Sequence, residues 1–183
     1  MTTAICGERL IEDLRNHNIP MQLVFIPSTI WCGSVAFSTL TAEPDISKLL
    51  EKYQKNCQFS KFSLANRDWN SAISINYWQE GKVPRGMMFA QQVTSDVQNP
   101  LHDIYRMPQS LFIRVECTAK VAQSAFGREG CEVWELFGVI KDALDDYGYK
   151  FAENGAQEIE MYNHGLELAY AYVPVEEKTL QSK

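Results

Sequence analysis

The chain has no apolar run approaching the ~18 residues needed to cross a bilayer. Its first nine residues lack the basic start and long apolar stretch of a secretion signal. Cysteine is sparse: five residues, Cys6, Cys32, Cys57, Cys117 and Cys131, odd in number and scattered, which is not the pattern of a disulfide framework. These absences predict a cytoplasmic protein in reducing surroundings, with no membrane partner. Histidine is scarcer still. His17, His102 and His164 stand far apart and no Cys-x-x-Cys accompanies them, so no metal site is expected. Gly33, Gly81, Gly86 and Gly127 form no phosphate-cradling run, which excludes a nucleotide loop and leaves no cofactor implied. Net charge is −6, with 17 basic residues against 23 acidic and no basic cluster. Direct nucleic-acid binding through phosphate neutralisation is excluded on that ground. The acidic balance favours a neutral or cationic small partner.

What is present is an ordinary globular interior. Hydrophobic residues make up 45% of 183, enough for one domain with a real core. Leu10, Ile11 and Leu14 predict a short helix over 7–17, ended by Asn18-Ile19-Pro20. Strand texture follows from Met21, broken at Pro27 and resumed from Trp31 to Leu40. Glu43-Pro44-Asp45 starts a helix striped by Ile46, Leu49, Leu50, Tyr53 and Cys57. Strands are expected over 71–78, 86–93 and 111–117. A second helix from Glu132 to about Tyr147 carries the stripe Val133, Leu136, Phe137, Ile140 and Leu144, with Gly148 as its stop. Two closing strands are expected at about 156–162 and 167–173, before a polar tail at 176–183.

The two halves share an order of strand, amphipathic helix and two strands, with Ile46 and Val133 in corresponding places. The predicted fold class is α+β: pseudo-duplicated β-α-β-β halves forming a largely antiparallel sheet. Two main helices lie on one face beside a ligand cleft, and an extra N-terminal helix precedes them. Residues 1–20 form the helical extension and 21–175 the binding domain.

Alternation in the closing strands points to a site. Glu158, Glu160 and Tyr162 share one face of the first; Leu168, Tyr170 and Tyr172 share one face of the second, opposite Ala169, Ala171 and Val173. The small alanines suit a face on which a helix packs closely, so the acids and phenols are expected to point away from the helices. The bland reading is the wet side of a half-exposed sheet, but so aromatic a surface is unusual to leave in water. A carboxylate in an aromatic wall suits a cation, at roughly 0.5–2 kcal/mol per cation–π contact. Glu158 would lie about 6–7 Å from Glu160 by strand rise, close enough to titrate with it. Tyr77 and Phe89, with Trp69, Trp78, Met87 and Met88, are candidates for the opposite wall or for ordinary core. Phe112 alternates with Leu111 and Ile113 and is a further lining candidate. Trp134 is either core or cleft. Cys117 and Cys131 are candidates to meet in space as free thiols.

These residues resemble the AraC-type, gyrase-inhibitor-like (GyrI-like) effector-binding domain. The similar elements are Trp134 and Phe137 on a helix, Gly148-Tyr149, Ile159-Glu160-Met161-Tyr162, and Tyr170-Ala171-Tyr172-Val173-Pro174-Val175, with Pro27 followed by a strand, Trp31 to Phe37, that has Gly33 at its centre. The resemblance covers about 21–175. It implies that Glu160 is the buried acid meeting hydrophobic, cationic drugs, walled by Tyr162, Tyr170 and Tyr172. It further implies ligand sensing or sequestration by a stand-alone protein without a DNA-binding module, of a kind also carried on integron gene cassettes. Residues 1–20 depart from the family core and would serve as a cap or a homodimer element. Two rivals remain open: a hydrolase using the pocket Glu and Tyr on a reactive small molecule, and a protein-binding inhibitor module.

Overall fold

The computed structural model describes residues 3–15, 18–39, 42–56, 63–76, 84–95 and 102–178. Its strands are β1 (Arg9–Leu14), β2 (Met21–Ile26), β3 (Thr29–Phe37), β4 (Asn70–Ile75), β5 (Gly86–Val93), β6 (Asp103–Met107), β7 (Ser110–Glu116), β8 (Tyr149–Phe151), β9 (Glu158–Asn163) and β10 (Leu168–Glu177). Between them lie the helices α1 (Ile46–Asn56), α2 (Ala119–Phe126) and α3 (Glu135–Ala143). The strands form one antiparallel sheet in the order β1-β2-β7-β10-β9-β4-β5-β3-β6, with β8 on the side of β10. Its middle reads β7-β10-β9 against β4-β5-β3, so each half is a strand, helical segment and two strands, joined where β9 pairs with β4. The α+β class and the duplicated order are as the hydrophobic pattern predicts.

Both main helices pack on the same face. Leu136, Phe137 and Ile140 of α3 meet Ile113, Val115, Ala171 and Val173, while Tyr53 of α1 packs on Cys32 and Val93. The i, i+3, i+4 stripes read from the sequence are the buried ones, except that Ile46 and Leu50 stay partly exposed and Cys57 lies outside the described residues. Asp45 caps α1, accepting from the backbone N–H of Lys48 at 3.1 Å. On the other face, residues from eight strands form one cluster that includes Trp31, Ile73, Met88, Phe112, Ile159 and Tyr172, with no helix among its members. The sheet curls to enclose it. The loop before β9 reaches edge strand β6, where Tyr105 donates to the Gly155 carbonyl at 2.8 Å. Ala4 and Ile5 of the N-terminal segment fill what remains.

Three expectations are corrected. The helix predicted over 7–17 is strand β1, paired with β2 from Arg9↔Phe25 to Leu14↔Met21 with a bulge between Leu10 and Glu12. Its helical spacing was coincidental: only Leu14 is buried, while Leu10 and Ile11 are exposed. An isolated helix that short is marginal, and the anchored Ala4-Ile5 segment turns through Gly7 (φ +86°) to deliver the chain to the free edge of β2. A helical homodimer element therefore has no basis in residues 9–14. The helix expected over 132–147 is shorter, α3 followed by a 3-10 turn at Asp145–Tyr147 that ends on left-handed Gly148. Helix α2 was unforeseen, although Thr118 accepts from the Val121 N–H at 3.2 Å and Gly127 closes it at φ +69°. Finally, β10 continues to Glu177, two residues into the stretch expected to be tail.

Candidate functional site

Cross-strand partners in an antiparallel ladder share a face. Glu160 pairs with Ala171 and Tyr162 with Ala169, whereas Tyr170 pairs with Met161 and Tyr172 with Ile159. Glu160 and Tyr162 therefore lie on the helix face, beside the small alanines, and Tyr170 and Tyr172 lie on the opposite one. The expectation that acids and phenols of both strands converge away from the helices is overturned. It assumed a register that the parity of single strands does not contain.

On the helix face, Ile46 of α1 and Trp134 at the start of α3 border one pocket over the middle of the sheet. Between them runs a groove floored by β9, β4 and β5. One lobe, about 380 Å³, is bounded by Ile46 of α1, Trp134 at the start of α3, Met87, Phe89, Glu160 and Tyr162. A second, about 540 Å³, continues past Phe89 and Tyr162 to Tyr53, Asn70 and His164. The His164 ring stacks on Tyr162, with centroids 6.3 Å apart and planes 9° from parallel. Trp134 is half exposed and lines the first lobe.

Glu160 lies in the floor with 4% of its surface exposed. Its Oε2 accepts a short hydrogen bond from the Tyr162 hydroxyl. No Lys, Arg or His among the described residues forms an ion pair with it. Burial pushes its carboxyl up to about 6, opposed by the Tyr162 hydrogen bond and reinforced by the charge of Glu132. Tyr162 is held protonated by its own burial and then by the Glu160 charge, so it serves as a fixed donor.

The other predicted site residues are elsewhere or otherwise engaged. Glu158 is fully buried and meets Lys141 of α3 at 2.7 Å. Burial raises its carboxyl and the Lys141 charge opposes that rise, so it does not act with Glu160 as a coupled acid pair. Tyr172 donates to Glu8 Oε2 at 3.0 Å, and Glu8 forms a buried ion pair with Arg114. The Arg114 guanidinium lies 5.1 Å from the Tyr170 ring centroid and donates through Nε to Gln22 at 2.8 Å. Phe112 packs edge-on against Tyr172 at 6.4 Å. Tyr170, Tyr172 and Phe112 are thus parts of a closed interior. Tyr77 lies outside the described residues, as does Trp78. Sequence reasoning missed Ile46 as a groove wall, His164 as a partner of Tyr162, and the Glu8–Arg114 pair. The ladder register alone would have revealed the first division, between groove and interior.

No protein-family model matches the sequence, and no curated protein matches it either. Solved structures do match in fold. SAV2435 bound to tetraphenylphosphonium aligns with TM-score 0.57 and 13% identity, over 85% of this chain and 93% of its own. The EcmrR C-terminal domain aligns with TM-score 0.58 and 13% identity, over 86% of this chain and 97% of its own. The chain shares the fold of both. An integron cassette protein from the mobile metagenome of Vibrio cholerae shares it, with TM-score 0.50 and 11% identity over 93% of this chain and 99% of that one. No helix among the described residues is long and apolar enough to cross a membrane.

Proposed function

We propose that this chain binds hydrophobic organic cations in the groove between α1 and α3, with Glu160 as their counter-charge. The observation that carries the reading is a buried carboxylate facing an aromatic groove without a cation of its own. Among the described residues the buried acids are Glu8, Glu158 and Glu160. The first two meet Arg114 and Lys141; only the third faces open space. Burying a charge without a partner is costly, and an incoming cation relieves that cost at the moment it binds. Tyr162 holds the carboxylate in place, and Trp134 and Phe89 offer aromatic faces to the ligand, each worth roughly 0.5–2 kcal/mol to a desolvated cation. That a protein of the same fold, SAV2435, holds tetraphenylphosphonium supports the same ligand class here.

The test is titration with tetraphenylphosphonium, followed by Trp fluorescence. Glu160→Gln keeps the shape and removes the charge, and is expected to weaken binding about tenfold or more, ~1.4 kcal/mol. Wild-type protein that ignores the ligand, or a variant that binds as well, ends the proposal.

A further inference from the structure

Outside the groove lining, the fold brings two thiols together. Cys117 directly follows β7, its N–H bonded to the Ala169 carbonyl at 2.8 Å. Cys131 lies in the loop between α2 and α3. Their Sγ atoms are 3.6 Å apart, and Cys117 Sγ is 3.5 Å from the Cys131 carbonyl oxygen. Both are partly buried, against the cluster that contains Val133, Leu136 and Phe137. They are 14 residues apart in sequence, so the contact joins the end of the sheet to the turn that enters α3. Three residues after Cys131 comes Trp134, which stands over the groove.

We propose that Cys117 and Cys131 form a thiol–disulfide exchange site, which a low-molecular-weight disulfide closes and which then fastens the Trp134 turn to the end of β7. The sulfurs are already in contact at 3.6 Å, and closing that gap to a bond of about 2.05 Å calls for a small approach of two side chains at the end of β7 and in the neighbouring loop. The loop position of Cys131 makes it the first nucleophile. Its thiolate attacks one sulfur of the small disulfide, breaks that bond and releases one small thiolate. The Cys117 thiolate then attacks the Cys131 sulfur, forms the internal bond and releases the second. The two protein thiols lose two protons and two electrons, and the small disulfide leaves as two thiols. Burial, then the hydrogen bond and charge of Cys131, pushes the Cys117 thiol up to about 12, so Cys117 acts second, as the resolving thiol.

The experiment needs no groove ligand, so its failure is separate from failure of the binding proposal. Protein carrying Cys6→Ser and Cys57→Ser is incubated with oxidised glutathione, then analysed by thiol titration and peptide mass. A bond between the peptides of Cys117 and Cys131, reversed by dithiothreitol, is expected. Cys117→Ser in the same background is expected to stop at a glutathione adduct on Cys131. Oxidation should also shift Trp fluorescence in the parent and not in Trp134→Phe. Native protein that keeps both thiols, or that collects separate glutathione adducts on each, overturns the site. An unchanged spectrum on oxidation overturns its link to the Trp134 turn.

Discussion

Glu8 and Glu160 are both nearly buried, and each accepts a hydrogen bond from a tyrosine of the two closing strands. They lie on opposite faces of the sheet. Glu8 arrives on the N-terminal segment and meets Arg114, whose guanidinium also covers Tyr170 and bonds Gln22, so the charge is answered from within the chain. Among the described residues Glu160 bonds only Tyr162, and it lines the groove in which we propose that a cation binds. One arrangement closes a wall and the other leaves a place to be filled. The difference is whether the positive partner is covalently supplied.

The largest test of this contrast removes the supplied partner. Arg114→Met leaves the Glu8 carboxylate buried with only Tyr172 and the Ile5 N–H, and breaking a buried pair from one side costs about 3–5 kcal/mol. Urea unfolding should show that loss, and Glu8→Gln added to Arg114→Met should recover much of it. The corresponding change on the other face has the opposite sign. Burial raises the Glu160 carboxyl from 4.5 to about 6, which is a penalty of about 2 kcal/mol on the folded, ionised form. Glu160→Gln should therefore stabilise the unliganded protein by about that amount at pH 7.5. Losses of similar size from both substitutions would erase the distinction between the faces.

The same raised carboxyl fixes the pH behaviour. With a folded value above the unfolded one, the penalty is full above about 6, shrinks as pH falls through 6, and is gone below the unfolded value of 4.5. Wild type and Glu160→Gln should thus converge in stability as pH falls to 4.5. Ligand affinity should follow the ionised fraction: tetraphenylphosphonium, whose charge is constant, is expected to bind about tenfold more weakly at pH 5 than at pH 7.5, ~1.4 kcal/mol. Glu132 and Tyr162 are the other ionisable groups acting on Glu160, and His164 stacks on Tyr162. The pH profile should survive His164→Gln and vanish in Glu160→Gln. A profile carried by the histidine would sharpen the comparison against us.

How much of this was legible in the residues varies by element. Stripes such as Val133-Leu136-Phe137-Ile140-Leu144 mark a buried face directly, because burial of a helix side is a local property of spacing. The duplicated order and the α+β class follow from such local readings. Sidedness across strands is different. Glu160 and Tyr170 each belong to a clear alternation, but which alternation faces which depends on pairing Ala171, not Tyr170 or Tyr172, with Glu160. A shift of one residue exchanges the faces. The N-terminal strand was hidden for a related reason: Leu10, Ile11 and Leu14 fit a helix, and the sheet edge that claims them is visible only once β2 is placed.

The smallest expected effect tests the register itself. Trp134 is half exposed at the groove, so Trp134→Ala should remove one partly solvated cation–π contact, about 0.5–1 kcal/mol or two- to fivefold in tetraphenylphosphonium affinity. Tyr170 is buried on the far face against Trp69, with ring centroids 5.7 Å apart. Tyr170→Phe keeps that packing, removes only a hydroxyl, and is expected to leave affinity unchanged. Both variants can be measured in the same titration. Affinity that falls with the Tyr170 hydroxyl and not with the Trp134 ring would mean that the ligand enters the curled interior, where Glu8 and Arg114 already satisfy one another. The place for a cation would then have to be made by displacing the N-terminal segment.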